Sequence, residues 1–186
     1  GSDDRGTPAR NIVVTSYGVG RAVIDGGNGR AVTVDGCDHV LLQRLKLVGA
    51  GRKTGNTSDG LYLARSTGST VDQVEVTGFR HSGVEISGTQ DARITHVHAH
   101  QNGYAGINSG GDLSRNLYIG YCRAENNPGD PTSLRNHSGS GIIVSKVEVA
   151  LVEYCESTYN GWDQPWTGNG PVGIWTHNAD RVTIQH

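Results

Sequence analysis

Residues 83–109 read GVEISGTQDARITHVHAHQNGYAGINS, and this stretch decides the fold. It opens with a glycine followed by alternating apolar residues, Gly83-Val-Glu-Ile, and a similar opening returns 23 residues later as Gly106-Ile-Asn-Ser. Between the two lies a second alternating segment, Ile94-Thr-His-Val-His-Ala, followed by a polar turn at Asn102-Gly103. Alternation with a period of two is the pattern of a β-strand with one buried face.

Both segments recur along nearly the whole chain. The glycine-led openings follow one another at intervals of 23, 23, 35 and 32 residues: Gly60-Leu-Tyr-Leu, Gly83-Val-Glu-Ile, Gly106-Ile-Asn-Ser, Gly141-Ile-Ile-Val and Gly173-Ile-Trp-Thr. Polar turns fall at matching places, Asn102, Asn127 and Asn160. Strands that repeat in phase and are separated by Gly and Asn predict a solenoid, with Gly and Asn supplying left-handed corner conformations.

The predicted fold is therefore all-β: a right-handed single-stranded parallel β-helix of about six to seven coils. We expect one domain over residues 1–186. We interpret it as a piece of a longer β-helix with both ends open, and Gly1-Ser2 as a tag remnant. No segment shows the apolar spacing of an amphipathic helix. Open coils at the ends predict end-to-end self-association.

Composition excludes several classes of protein. The 28 glycines and 5 prolines rule out collagen, and the formal net charge of −2 leaves no basic surface for nucleic acid. No apolar run is long enough for a transmembrane helix, so we expect no membrane partner. Three cysteines cannot form a disulfide framework, and no Cys-x-x-Cys spacing indicates zinc.

Alternation assigns the faces of the glycine-led strands. The expected inward residues are Leu61, Leu63, Val84, Ile86, Ile107, Ile142, Val144 and Ile174. The expected outward column is Thr33, Tyr62, Glu85, Asn108, Ile143 and Trp175. In the second segments Cys122 and Cys155 fall inward, one above the other, where we expect them to fill the core rather than form a disulfide, whose geometry would be poor.

Three insertions precede glycine-led strands, at residues 49–59, 126–140 and 159–172. Because they occupy the same corner of different coils, we expect them to wall a groove over the outward column. Loops on a rigid scaffold are where function concentrates, and an elongated groove suits a polymer.

The glycine-led openings, the second segments with Tyr121-Cys122 and Tyr154-Cys155, and the Asn-Gly corners resemble the right-handed parallel β-helix superfamily typified by pectate lyases. The resemblance is strongest to its carbohydrate-binding and sugar-hydrolysis branch of secreted bacterial proteins, and it runs from about Ile12 to the end. It implies a polysaccharide partner, a secreted or periplasmic location, and a lyase or glycosidase activity. The acidic motif set of polygalacturonases and the Asp-Pro-His of mannuronan epimerases are missing.

Candidate site residues lie along the expected groove. The catalytic candidates are Arg80, His81, Glu85 and His137; the substrate-binding candidates are Tyr62, Tyr104, Asn108, Trp166, Trp175 and His177. A uronate lyase needs a base and a group that neutralises the carboxylate, which Arg80, His81, His137 and Tyr104 could supply. A glycosidase needs two carboxyl groups, for which Glu85, Asp59 and Asp163 are the candidates.

Other polar groups have weaker cases. His96, His98 and His100 are expected on one strand, facing away from the insertions, as a solvated ladder rather than a metal site. The oxygens of residues 125–130 leave Ca²⁺ open as a cofactor, although no dense acidic loop is present. The alternative functions are a non-catalytic carbohydrate-binding or structural module, and an inactive excised fragment of a solenoid.

Overall fold

The computed structural model describes residues 4–186, so the predicted tag remnant lies outside the described residues. The chain winds through six turns of three strands each and begins a seventh, forming three parallel sheets. Each strand pairs with its counterparts in the neighbouring turns, which is the architecture of a right-handed parallel β-helix. The predicted all-β fold of six to seven coils is confirmed.

We label the sheets A, B and C in the order in which each coil visits them. Sheet A contains β1 (Ile12–Thr15), β4 (Val40–Gln43), β7 (Thr70–Asp72), β10 (Arg93–Thr95), β13 (Ser114–Gly120), β16 (Val147–Glu153) and β19 (Asp180–Gln185). Sheet B contains β2 (Ala22–Gly27), β5 (Leu45–Gly49), β8 (Glu75–Thr77), β11 (His98–His100), β14 (Arg123–Glu125) and β17 (Glu156–Thr158). Sheet C contains β3 (Val32–Asp35), β6 (Leu61–Ala64), β9 (Ser82–Ser87), β12 (Ala105–Ser109), β15 (Ser140–Ser145) and β18 (Ile174–His177).

The core is a column of stacked aliphatic side chains enclosed by the three sheets. The residues predicted to face inward on sheet C are there: Leu61, Leu63, Val84, Ile86, Ile107, Ile142 and Val144 are buried, and Ile174 packs against them partly exposed. Cys122 and Cys155 also pack in the core as free thiols, as predicted. Within residues 4–186 no helix is long and apolar enough to cross a membrane.

Corners between sheets A and B turn on one residue in the left-handed conformation. Gln73, His96, Tyr121 and Tyr154 all have φ between 50° and 57°, as does Arg44 in an earlier coil. Three of these side chains, His96, Tyr121 and Tyr154, stack with ring centroids 5.3 and 5.0 Å apart, and His186 extends the stack at 4.6 Å. The expectation that Gly and Asn supply these conformations was therefore wrong for this corner, where stacking of neighbouring side chains accompanies the strained backbone.

Corners between sheets B and C are held by a buried asparagine ladder. Asn102 and Asn127 are fully buried, and Asn127 Oδ1 accepts hydrogen bonds from both the backbone N–H and the side-chain amide of Asn102. Asn160 Oδ1 accepts the same pair from Asn127. The left-handed residues are their predecessors, Gln101, Asn126 and Tyr159. The matching asparagines thus act through their side chains rather than through backbone conformation.

Candidate functional site

The outward column of sheet C runs through all six of its strands, which pair in the predicted register. Thr33 pairs with Tyr62, Tyr62 with Glu85, and Glu85 with Asn108. Beyond Asn108, the column continues through Ile143 and Trp175. Ile143 is only 1% exposed although it lies on the outer face, so this face is covered between its two ends.

Glu85 lies in a cleft of about 360 Å³ on this face, which we call the Glu85 cleft. Its lining residues are Asp59, His81, Ser82, Glu85, Tyr104, Asn108 and Asp130. The Asn108 side-chain amide donates to both carboxylate oxygens of Glu85 at 2.9 Å, and the Ser82 hydroxyl donates to Oε2 at 2.9 Å. Burial, with a smaller contribution from the nearby Asp59, raises the pKa of Glu85 to about 7 against these hydrogen bonds. The cleft therefore holds a carboxyl group that is half protonated near neutral pH.

A second carboxylate, Asp59, is fixed beside Glu85 by the same serine. Asp59 Oδ1 accepts the backbone N–H of Ser82 at 3.2 Å, and its Oδ2 lies 3.3 Å from Arg30 Nη2. The Arg30 guanidinium also lies over the Tyr62 ring, 4.3 Å from its centroid. An ion-paired Asp59 and a half-protonated Glu85 give the cleft two carboxyl groups in different environments.

The far wall of the cleft carries an imidazole, a phenol and a third carboxylate. His81 Nε2 lies 3.9 Å from Asp130 Oδ2, while Asp130 Oδ1 accepts the Thr132 backbone N–H and hydroxyl at 2.8 and 2.7 Å. Burial raises the pKa of Tyr104, and the charge of Glu85 adds to that effect. Tyr104 is thus a proton donor at neutral pH, and the His81 side chain is more exposed than that of Asp130.

A line of rings, the aromatic strip, continues from Tyr104 towards β18. Tyr104 and His137 have centroids 6.4 Å apart, His137 and Trp175 5.5 Å, and Trp175 and His177 4.3 Å. Burial lowers the pKa of His137, and His177 lowers it further. A Cβ on Gly170 would lie 2.7 Å from the His137 Cβ, so the third insertion packs directly on this imidazole.

All three insertions emerge at the corner between sheets B and C, as predicted, and they are tied to one another. Arg52 of the first donates to the Gly129 carbonyl of the second at 2.8 Å and pairs with Asp163 of the third. Lys53 Nζ also lies 2.6 Å from Asp163. Because Asp163 serves this clasp, it is not the acid partner of Glu85 that the sequence suggested.

The structure brings some predicted site residues together and leaves others apart. His81, Glu85, Tyr104 and Asn108 line the cleft, with Tyr62 next to Glu85 in the column, and His137, Trp175 and His177 belong to the strip. Arg80 is at the same corner but does not line the cleft; its backbone N–H donates to Asn56 Oδ1. Trp166 turns back on its own loop, where its indole N–H donates to Asn169 at 2.7 Å.

The histidines of sheet B are arranged differently from the prediction. Only His98 and His100 lie on β11, whereas His96 is at the corner in the ring stack. Nor does this face lie away from the insertions, because His100 shares a second cleft with Tyr159 and Trp162 of the third. His98 Nε2 binds Glu125 at 2.8 Å and His100 Nε2 lies 3.3 Å from Glu75. The two imidazoles pair with different carboxylates rather than converging on one point.

The segment 125–130 does not fit a calcium ion. Glu125 binds His98, Asn127 is committed to the buried ladder, and Asp130 Oδ1 accepts from Thr132. The side-chain oxygens therefore point to separate partners. Across residues 4–186, no group of three or more His, Cys, Asp or Glu side chains is arranged to hold a metal ion.

Sequence reasoning missed Arg30, Ser82 and Asp130. A signal for the first two was present: Arg30, Asp59 and Ser82 each stand three residues before an outward residue of sheet C, namely Thr33, Tyr62 and Glu85. They form a second column beside the first. Asp130 carries no such signal, because it lies within an insertion of irregular length.

Comparison with known proteins identifies the fold family. The family model of the right handed beta helix region matches residues 19–186. The chain belongs to this family. No curated protein matches the sequence significantly.

Three solved structures share this β-helix architecture at low identity. An alginate lyase from Paenibacillus sp. is 18% identical, with a TM-score of 0.65 over 95% of this chain and 62% of its own. Tailspike protein 2 of the Escherichia coli O157:H7 bacteriophage CAB120 is 14% identical, with a TM-score of 0.56 over 84% of this chain and 25% of its own. Bacteriophage CBA120 tailspike protein 3 is 13% identical, with a TM-score of 0.52 over 89% and 28%. The chain spans less than two thirds of each.

Proposed function

We propose that this β-helix binds an extended polysaccharide along the outer face of sheet C and cleaves a glycosidic bond in the Glu85 cleft. The observation that carries the proposal is Glu85 itself, a carboxyl group with a pKa of about 7 in an open cleft beside two other carboxylates. A carboxyl group that keeps its proton near neutral pH can donate it to the oxygen of the leaving sugar. Burial and the charge of Asp59 supply that property here.

Hydrolysis is the reaction that the donor set supports best. Glu85 would protonate the glycosidic oxygen, while Asp59 or Asp130 would act on the other side of the sugar ring as base or nucleophile. Asn108 and Ser82 would fix the Glu85 carboxyl during the transfer, since both donate to its oxygens. The aromatic strip would hold the next sugars of the chain, because sugar rings stack their apolar faces on aromatic rings.

Elimination is the second candidate, favoured by Tyr104 and His81 at the same cleft. A lyase removes the proton next to a uronate carboxylate, and His81 could take that proton while the neutral Glu85 stabilises the carboxylate and Tyr104 donates a proton to the leaving oxygen. An alginate lyase is among the structures that share the fold, but at 18% identity this similarity supports the fold and not the reaction. Under either reaction, we propose that the protein is secreted or periplasmic.

Glu85→Gln tests the proposal against a panel of neutral and uronic-acid polysaccharides. Glutamine keeps the size of the side chain but has no acidic proton, so we expect turnover to fall roughly 10²- to 10⁴-fold while affinity electrophoresis shows binding retained. New reducing ends without ultraviolet-absorbing unsaturated products indicate hydrolysis; both signals together indicate elimination. Glu148→Gln, on exposed sheet A, is the matched control and should leave turnover unchanged.

The same variant has a signature in the pH dependence of stability. A carboxyl whose folded pKa is raised from 4.5 to about 7 favours folding fully below pH 4.5, and this contribution is lost as pH rises through about 7. The loss is at most about 3 kcal/mol of unfolding free energy. Denaturant titrations across this pH range should show that the unfolding free energy of the wild type falls as pH rises, and that this fall is absent in Glu85→Gln. Binding without turnover in the wild type would leave a carbohydrate-binding module instead, and full turnover in Glu85→Gln would remove Glu85 as the acid.

A further inference from the structure

The cleft on sheet B differs in character from the Glu85 cleft and lies on another face. Its volume is about 430 Å³, and it is lined by His100, Glu125, Asn126, Tyr159 and Trp162. His100 and Glu125 are on paired strands of sheet B, while Tyr159 and Trp162 come from the third insertion. None of these five residues lines the Glu85 cleft or belongs to the aromatic strip.

Two exposed aromatic rings at this cleft are not required by the fold. Tyr159 is 86% exposed and Trp162 is 66% exposed, so neither ring belongs to the buried core. The positions that match Tyr159 in the two preceding coils are Gln101 and Asn126, which adopt the same left-handed conformation with polar side chains. The corner therefore forms without an aromatic residue, and the tyrosine is an addition to it.

The tryptophan ring is held in place rather than free. The Trp162 indole N–H donates to Asn126 Oδ1 at 2.8 Å, and Asn126 immediately precedes the buried ladder residue Asn127. The following residue, Asp163, is fixed by Lys53 and Arg52 of the first insertion. An exposed ring with a fixed orientation loses little conformational freedom when a ligand stacks on it.

The polar groups of the cleft favour an uncharged ligand. Glu125 is an acid already paired with His98 and Arg123, and Glu75, which lies against His100, pairs with Lys46. Burial lowers the pKa of His100 despite its hydrogen bond to Glu75, so this imidazole is neutral at pH 7. A uronate carboxylate in the cleft would be repelled by Glu125, whose cationic neighbour Arg123 is already ion-paired, whereas sugar hydroxyls could bond to Glu125, Asn126 and His100.

We propose that the sheet B cleft is a second, non-catalytic carbohydrate site, which stacks an uncharged pyranose residue on Tyr159 and Trp162 and bonds its hydroxyls through Glu125, Asn126 and His100. A fixed aromatic ring with polar groups at its edge matches a sugar, which presents an apolar face and a hydroxyl rim. The site goes beyond the proposed cleavage at Glu85, and it binds whether or not that cleavage occurs.

The three tryptophans make the test direct, because each indole N–H gives its own proton–nitrogen resonance in solution. The full chain is titrated with hexasaccharides of β-1,4-linked glucose, mannose and N-acetylglucosamine, and with a mannuronate hexamer for comparison. We expect at least one neutral hexamer to shift the Trp162 resonance, and the shift to persist in Glu85→Gln. Assignment uses a Trp162→Phe variant.

Two variants and a control complete the experiment. Tyr159→Ala and Trp162→Ala should each weaken binding of that hexamer about five- to tenfold, while Tyr17→Ala removes a fully exposed ring elsewhere and should leave it unchanged. The proposal is overturned if no neutral hexamer moves the Trp162 resonance, if only mannuronate does, or if Tyr17→Ala weakens binding as much. If Glu85→Gln loses cleavage but the hexamer still shifts the Trp162 resonance, the sheet B cleft binds independently of the Glu85 cleft. The two proposals can therefore fail separately.

Discussion

The two corners that flank sheet B are stabilised in different ways. Between sheets A and B, the second to sixth coils turn within one or two residues on a left-handed backbone, and the side chains of His96, Tyr121 and Tyr154 stack on the outside. Between sheets B and C, the ladder of Asn102, Asn127 and Asn160 anchors the chain as it leaves the strand. The segment that connects the two sheets ranges in length from residues 78–81 to residues 126–139. Because the asparagines hold the B–C corner from inside the coil, the loop on its outside can vary in length and sequence. Both clefts are lined in part by these variable loops.

Asn127→Ala should have the largest effect on this comparison. It removes the amide that donates to the Ala99 carbonyl and to Asn160, and it removes the oxygen that accepts from the backbone N–H and the side-chain amide of Asn102. Because these groups are buried, we expect the free energy of unfolding to fall by about 3 kcal/mol or more, measured by denaturant titration. Exposed Asn136→Ala in the same insertion should cost less than about 1 kcal/mol. Equal losses in both variants would show that the ladder does not anchor the corner.

Tyr121→Ala and Tyr121→Gly test the other corner. Both variants lose the stacking of Tyr121 on His96 and Tyr154, which is worth about 1–2 kcal/mol in total. Only glycine relieves the left-handed backbone at φ 57°, so we expect the glycine variant to be more stable than the alanine variant by about 1 kcal/mol. The two thermal midpoints measure the difference, and an alanine variant as stable as the wild type would rule out a contribution from stacking.

Val149→Asn should give the smallest change and the opposite sign. Val149 has φ 65°, an unfavourable conformation for a β-branched residue, and its register neighbour in the preceding coil is Asn116 at φ 55°. Asparagine tolerates this conformation, so we expect a gain of about 1 kcal/mol in unfolding free energy. Val149→Gly should gain similarly and Val149→Ala should not; a gain in the alanine variant would assign the effect to the exposed methyl groups instead of the backbone.

Most of the fold could be predicted because each coil of a solenoid repeats the same sequence pattern. Alternation in Gly83-Val-Glu-Ile placed Val84 inside and Glu85 outside, and the interval of 23 residues placed Asn108 beside Glu85. The asparagines at matching positions were visible, but their role was not, because a spacing does not show whether a residue contributes its backbone conformation or its side chain.

The candidate site was only partly predictable, because it depends on segments without a repeat. Glu85 was identified from its column, but its raised pKa follows from burial, and Asp130 reaches the cleft from an insertion. Tyr159 and Trp162 lie together on sheet B, while Trp166, four residues later, turns back on its own loop. Contacts within irregular loops depend on packing against other coils, which no local pattern encodes.

The clasp at Arg52 has a consequence for the order in which the molecule is completed during synthesis. Most contacts join neighbouring coils, but the partners of Arg52 are distant in sequence. Gly129 is synthesised 77 residues after Arg52, and Asp163 is synthesised 111 residues after it. The early coils can stack as they emerge, but the first insertion gains its last partner only when the sixth coil has been made. A nascent chain that ends before that point carries Glu85 on a formed sheet and lacks the finished outer wall.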